Sequence, residues 1–154
     1  MNSVYRNIFL AMLAVATLAP AATQADTRFG IRAGSYTDTD EPFIGAELLA
    51  PVSNQLYVNP NVEYVFVEYG DFLTANLDFH YDVPTRSSLF FWLGGGPALG
   101  YFNFPGDLDS EVEFGVNLLA GIGIETRGRL IPYIQAKAVV GDIEDVVLAV
   151  GLRF

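Results

Sequence analysis

His80 is the only histidine of the chain and the side chain best suited to act as a general base near neutral pH. Asp78 and Asp82 flank it at two-residue spacing, and Ser87 and Ser88 follow shortly after. A serine, a histidine and a carboxylate together can hydrolyse an ester. They must meet in space to do so, and the elements that hold His80 therefore decide whether this chemistry is available.

His80 lies in a segment, residues 73–82, in which apolar and polar side chains alternate completely. The apolar positions are Leu73, Ala75, Leu77, Phe79 and Tyr81, and the polar ones are Thr74, Asn76, Asp78, His80 and Asp82. This period of two predicts a β-strand. The same alternation holds over residues 111–124 and 145–154, and weaker forms of it occur at 27–36, 43–49, 56–67, 89–103 and 131–140. The sequence therefore predicts eight strands.

Residues 1–25 have the features of a cleaved secretory signal peptide. A short head carries Arg6, an uncharged run covers residues 8–19, Pro20 breaks it, and Thr23 and Ala25 are the small residues before the expected cleavage site. This leaves residues 26–154 as one domain. That domain contains no cysteine, which excludes disulfides and thiolate metal sites, and it carries 18 acidic against seven basic side chains. Nucleic acid is therefore not an expected partner.

An even number of strands in up-and-down order can close into a barrel, and eight is the smallest usual number in membranes. Small residues such as Gly34, Gly100, Gly121 and Gly151 share a face with the charged residues, which places that face on the cramped inside. The apolar face then points outward, towards lipid. We predict an all-β, eight-stranded antiparallel up-and-down transmembrane β-barrel. Large side chains should fill its lumen, namely Tyr36, Tyr57, Phe90, Trp92, Phe102 and Tyr133.

Prolines within predicted strands remove hydrogen-bond donors from a sheet that has no free edge. We expect bulges or strand ends at Pro60, Pro97 and Pro132. The run of glycines at 94–96 lacks the rest of a phosphate-binding motif, and we expect it to mark curvature or a bulge.

Charged residues divide between the two sets of connections. The first, third, fifth and seventh connections contain acidic and no basic residues, whereas the fourth and sixth contain Arg86, Arg127 and Arg129. One mouth of the barrel should therefore be acidic. It could be a hydrated rim, or it could bind Ca²⁺ or Mg²⁺ through Asp107, Asp109, Asp142 and Asp145. No other cofactor is expected.

Charges on the inner face need partners in the lumen. We expect Arg32 and Lys137 to pair with Glu47, Glu63 and Asp78, forming a structural plug rather than a channel. His80 falls on the same face, near the end of its strand, which favours a hydrogen-bonded internal histidine over a catalytic one.

The last nine residues alternate between apolar and other side chains and end on phenylalanine, with Val146, Leu148, Val150, Leu152 and Phe154 on the apolar face. This pattern resembles the signal that bacterial outer-membrane barrels present to their insertion machinery. With the signal peptide and eight strands, the chain resembles the small barrels of the OmpA-transmembrane-domain, OmpX and opacity-protein type. The resemblance implies a place in the cell outer membrane, with membrane lipid and the insertion complex as partners.

The family does not fix a function, since its members share a fold and differ in role. The predicted connections are shorter than those of adhesive members, and His80 is followed by Tyr81 and Asp82 rather than by the His-x-Ser pattern of lipid A deacylase barrels. We expect a structural or surface-interaction protein and no enzyme. The alternatives are an envelope lipid-modifying enzyme, a narrow pore or ligand carrier, and a soluble periplasmic barrel. The oligomeric state is left open.

Overall fold

The computed structural model describes residues 27–103 and 110–154, which form one closed barrel of eight antiparallel strands. The strands are β1 (Arg28–Tyr36), β2 (Glu41–Pro51), β3 (Leu56–Val65), β4 (Asp71–Val83), β5 (Leu89–Asn103), β6 (Glu111–Ile124), β7 (Ile131–Gly141) and β8 (Asp145–Arg153). Each pairs with its neighbours in chain order, and β1 pairs with β8. The predicted fold class is confirmed.

No helix among the described residues is long and apolar enough to cross a bilayer.

Residues Phe29 and Phe154 finish the closure between β1 and β8. The amide of Phe29 donates to the carbonyl of Phe154 at 3.1 Å, and the amide of Phe154 donates back at 2.8 Å. Both termini of the barrel therefore lie at one end, which we call the terminal end. The opposite end, formed by the connections β1–β2, β3–β4, β5–β6 and β7–β8, is called the acidic end.

The two faces of the wall differ as predicted. In β6, Asn117 is fully buried while its neighbour Leu118 is 60% exposed. In β8, Val147 is fully buried while Val150 is 59% exposed. Apolar side chains cover the outside of the barrel, and the buried charged groups Arg32, Glu63, Asp78 and Lys137 lie on its inner face.

Strand ends differ from the predicted ones by a few residues. β2 begins at Glu41 rather than Phe43, β3 ends at Val65 rather than Val67, and β4 extends to Asp71 and Val83. Pairing explains these shifts, because Glu41 pairs with Tyr36 and Asp71 pairs with Asn103. A strand continues as long as its neighbour offers partners, which alternation within one segment does not reveal.

The prediction of bulges at Pro60 and Pro97 is wrong. Both lie inside strands, and the pairing register is the same on either side of each. Residue pairs are missing from the ladder beside each proline, between β2 and β3 at Pro60 and between β4 and β5 at Pro97. The side-chain amide of Asn59 donates a hydrogen bond to the backbone carbonyl of Leu48 at 3.1 Å. A side-chain donor thus satisfies a carbonyl opposite Pro60. Pro132, the second residue of β7, does lie at a strand end.

The glycines at 94–96 mark close backbone approach. A Cβ at Gly94 or Gly96 would overlap the carbonyl oxygen of Phe79 or Leu77 on β4, and one at Gly95 would overlap that of Asn117 on β6. Only residues without a side chain fit these positions.

Candidate functional site

The barrel interior is the candidate site, and its side chains form three layers along the axis. An apolar layer closes the acidic end; it contains Tyr36, Phe43, Val65, Phe72, Ala98, Val139, Ile143, Val147 and Ala149. A polar layer follows, and an aromatic layer of Trp92, Leu119 and Tyr133, with Phe90 against it, lies near the terminal end. Buried side chains therefore occupy the lumen near both ends and between them.

Glu63 is the centre of the polar layer. One of its oxygens lies 2.6 Å from Nη2 of Arg32, and the other lies 2.9 Å from Nζ of Lys137. Tyr36 and Thr74 donate to the carboxylate as well, at 2.6 Å and 3.1 Å. One buried carboxylate thus joins β1, β3, β4 and β7 and faces two cations.

Glu47 forms the second ionic group. Its Oε1 accepts a 2.7 Å hydrogen bond from Nε of Arg153, and its Oε2 lies 3.7 Å from Nη1 of Arg32. The Asn59 amide donates to the same carboxylate at 3.1 Å. Arg32 therefore stands between Glu47 and Glu63 and links the two groups, although its N–H groups are not aligned on an acceptor.

Asp78 does not make the ion pair that was expected for it. Among the described residues, no cationic nitrogen lies within 4.0 Å of its carboxylate. Instead the Asn61 amide donates to one oxygen at 2.9 Å and the Asn117 amide to the other at 2.8 Å. Neutral donors stabilise a buried carboxylate when enough of them converge on it.

This network of side-chain amides was not predicted from the sequence. Asn76 connects it, donating to Asn61 at 3.1 Å and accepting from Asn117 at 2.9 Å. The sequence does contain a signal for it. Two asparagines lie two residues apart on the inner face of β3, and a threonine and an asparagine lie two residues apart on the inner face of β4. Such spacing predicts hydrogen bonds between side-chain amides inside a barrel.

Arg153 holds the aromatic layer together. Its guanidinium carbon lies 4.9 Å from the ring centre of Trp92 and 4.3 Å from that of Tyr133. The indole of Trp92 donates to Gln135 at 3.3 Å. Such stacking suits the planar guanidinium and places a charge among rings without exposing it to water.

His80 lies in this aromatic layer and is not part of a catalytic triad. It is 1% exposed and stacks on Trp92, with ring centres 5.9 Å apart. Ser87 lies in the exposed β4–β5 turn, where its hydroxyl donates to the Leu89 carbonyl at 2.8 Å. The internal position agrees with the prediction. The prediction that the imidazole is hydrogen-bonded is wrong, because neither ring nitrogen has a hydrogen-bond partner among the described residues.

The four aspartates considered for cation binding do not form one described cluster. Asp107 and Asp109 lie outside the described residues. Asp145 is 5% exposed and accepts a hydrogen bond from the amide of Asp38 at 3.1 Å, while Asp142 accepts one from the amide of Phe114 at 3.3 Å. The described segments hold no group of three or more potential ligands in metal-binding proximity.

The residues of the terminal insertion signal lie on the outer wall of β8. Val146, Leu148 and Val150 are exposed along the strand, and Phe154 is exposed just beyond its end. Leu152 is partly covered. Their role in insertion stays a prediction.

Solved structures of small barrels are similar to this fold. The N-terminal β-barrel domain of Pseudomonas aeruginosa OprF aligns with a TM-score of 0.72 at 13% identity, over 83% of this chain and 95% of that one. Neisserial surface protein A aligns with a TM-score of 0.59 at 14% identity, over 82% and 92% of the two chains. Ail, the attachment invasion locus protein of Yersinia pestis, aligns with a TM-score of 0.51 at 16% identity, over 83% and 96%.

Neither a protein-family profile nor a curated protein matches the sequence.

Proposed function

Because this chain has the fold of the small eight-stranded outer-membrane β-barrels, we propose that it resides in a bacterial outer membrane as a closed, non-conducting structural barrel. The observation that carries the proposal is the inverted distribution of side chains. Ile134, Leu148 and Val150 stand more than half exposed on the wall, while Glu63 and Asp78 are fully buried. A water-soluble barrel would have the opposite arrangement, because exposed apolar bands are costly in water and buried charges need partners.

The layered lumen supports a closed barrel. Packed apolar and aromatic side chains form the layer at the acidic end, and Arg153 between Trp92 and Tyr133 fills the other end. Eight strands leave little room beyond their own side chains. A pore would need continuous water through both layers.

Reconstitution into lipid vesicles tests the membrane assignment. The folded protein should float with the vesicles and migrate differently on a gel before and after heating. In planar bilayers it should give no steady conductance. Solubility without detergent would overturn the membrane proposal, and steady channel openings would overturn the closed barrel.

We propose that the termini lie on the periplasmic side and that the acidic end faces outward, which is the usual arrangement of bacterial outer-membrane barrels with an even number of strands. The chain has no cysteine, so single-cysteine variants can be labelled cleanly. In intact cells a membrane-impermeant maleimide should label E144C in the β7–β8 connection and not S53C in the β2–β3 connection. The reverse pattern would overturn the orientation.

A lipid-acting hydrolase receives no support from the geometry of His80. Divalent-cation binding at the acidic end stays a prediction, because Asp145 is used by the β1–β2 turn and two of the four aspartates are not described. Titration calorimetry with Ca²⁺ and Mg²⁺ would decide it.

A further inference from the structure

A groove interrupts the apolar outer wall across β5, β6, β7, β8 and β1. Its volume is about 550 Å³, and its lining is almost entirely apolar. Ala120 and Ala136, which pair with each other across β6 and β7, form its floor, whereas Phe91, Ile134 and Leu148 are larger and stand around them. The small residues thus leave a depression in a wall otherwise covered by long side chains.

The strands that form this groove lead to two adjacent turns at the terminal end. These are the β4–β5 turn at residues 84–88 and the β6–β7 turn at residues 125–130, and the amide of Glu125 donates to the carbonyl of Ser88 at 2.7 Å. Arg86, Arg127 and Arg129 are exposed in these turns. Glu125 is the only acidic residue of the two turns, so they carry a net positive charge.

The arginines are not needed to hold the turns. In the first turn the hydroxyl of Thr85 donates a hydrogen bond to the carbonyl of Leu89 at 2.8 Å. In the second turn the hydroxyl of Thr126 donates one to the carbonyl of Leu130 at 2.6 Å. Within the described part of the chain, none of the three guanidinium groups lies within 4.0 Å of a carboxylate. They are therefore free to take an external anion.

The groove and the arginines lie within the depth of one lipid leaflet. Ala120 lies four residues before the end of β6 at Ile124, which corresponds to about 13 Å along a strand and, at a strand tilt of about 40°, to roughly 10 Å along the membrane normal. Half of a hydrocarbon core of roughly 30 Å covers this depth. An acyl chain seated on Ala120 would thus have its headgroup at the level of the turns.

We propose that the groove and the three arginines form a binding site for one anionic phospholipid of the phosphatidylglycerol type. The acyl chain lies against Ala120 and Ala136, and the phosphate takes hydrogen bonds from the guanidinium groups, whose planar forks suit phosphate oxygens. This site rests on the proposed membrane location. A second copy of the chain is a poorer occupant, because parallel insertion would bring its own arginines beside these.

Competitive lipid retention tests the site. The protein is reconstituted into vesicles of phosphatidylcholine and phosphatidylglycerol, extracted mildly, and its bound lipids are counted by native mass spectrometry. Wild type should retain phosphatidylglycerol preferentially. R86Q/R127Q/R129Q should lose this preference, at roughly fivefold per arginine near a membrane surface. A120L/A136L should retain less lipid with its charges unchanged, and D38N/D40N/E144Q, at the acidic end, is the matched control.

Each other outcome has a distinct meaning. If the arginine variant retains phosphatidylglycerol as wild type does, the site is refuted while the membrane proposal stands, provided that both proteins insert into vesicles. If no variant inserts and wild type does not either, the membrane proposal itself fails. If excess inorganic phosphate displaced the lipid, the proposal of a phospholipid ligand would be overturned in favour of a free anion. A dimer that A120L/A136L abolishes would overturn it in favour of a second copy.

Discussion

Arg153 of the last strand and Glu47 of the second strand meet across the line where the barrel closes. The Nε–Oε1 distance is 2.7 Å, and both side chains are almost fully buried. Because β1 lies between these strands, the contact spans the seam at which β8 pairs with β1. It joins the closing strand to the rest of the wall through the lumen.

Replacing Arg153 should therefore weaken the closed barrel. Arg153→Met leaves Glu47 with the more distant Arg32 and the neutral side-chain amide of Asn59, and removing one partner of a buried ion pair costs about 3–5 kcal/mol. Arg153→Lys keeps the charge and loses the stacking on Trp92 and Tyr133, so it should cost less. Urea unfolding in vesicles measures both. Equal losses in the two variants would show that stacking, not charge, accounts for the effect.

Glu63→Gln should be more damaging than Lys137→Met. Glu63 faces both Arg32 and Lys137, so its neutralisation leaves two buried cations without their shared carboxylate, whereas loss of Lys137 leaves Glu63 paired with Arg32. A loss of about 3–5 kcal/mol is expected for Glu63→Gln. In the double variant Glu63→Gln/Lys137→Met one uncompensated charge is removed, and stability should partly return. Strict additivity of the two losses in a double-mutant cycle would contradict this coupling.

Gly121→Ala should disturb the aromatic layer. A Cβ at Gly121 would fall on the indole ring of Trp92. Overpacking of this kind costs about 1–3 kcal/mol, and Trp92→Phe in the same chain should recover part of it. Gly128→Ala is the control, since a Cβ there meets only the hydroxyl of Thr126 at 3.8 Å. The test compares the free energy of unfolding of these variants with that of wild type. An unfolding free energy that Gly121→Ala leaves unchanged would refute the packing assigned to Trp92.

Ile134→Arg distinguishes a lipid-facing wall from a water-facing one. In a membrane barrel an exposed arginine costs about 2–4 kcal/mol at the bilayer midplane and less towards an interface, so that at Ile134, three residues into β7, a cost of about 1–2 kcal/mol is expected. The same substitution on a soluble surface changes stability by about 0.5 kcal/mol or less. Glu144→Arg, in the exposed β7–β8 connection, should have little effect in either setting. The folding yield and the free energy of unfolding are measured in vesicles. If Ile134→Arg changed neither of them, the proposed membrane location would be contradicted.

Asp145→Asn should loosen the β1–β2 turn. Asp145 accepts from the Asp38 amide at 3.1 Å and from the Thr39 hydroxyl at 3.5 Å, and weakening such contacts costs about 1 kcal/mol. Asp38→Asn, an exposed change in the same turn, is the control. Amide hydrogen exchange at residue 38 reports the local effect. If Asp145→Asn instead abolished Ca²⁺ binding without changing this exchange, Asp145 would be a cation ligand rather than a turn cap.

The number of strands, and the side of each strand that faces the axis, could be predicted from the amino-acid pattern alone. Alternation is a local property, so Asn117 and Leu118 could be assigned to opposite faces without knowledge of their neighbours. The presence of Arg32, Glu47, Glu63 and Lys137 on the inner face followed from the same count, and so did the internal position of His80.

Which of these groups meet could not be predicted in this way and depends on how the strands are arranged in the closed barrel. Glu63 faces Arg32 and Lys137 while Asp78, on the same inner face, is bound by Asn61 and Asn117, because strand register and closure set the height of each side chain along the axis. The constant pairing register of β3 and β4 at Pro60 also depends on strand register and closure. So does the lack of a hydrogen-bond partner for the His80 ring nitrogens among the described residues. Contacts between strands depend on distances that no single segment encodes, whereas the face of a residue depends only on the geometry of its own strand.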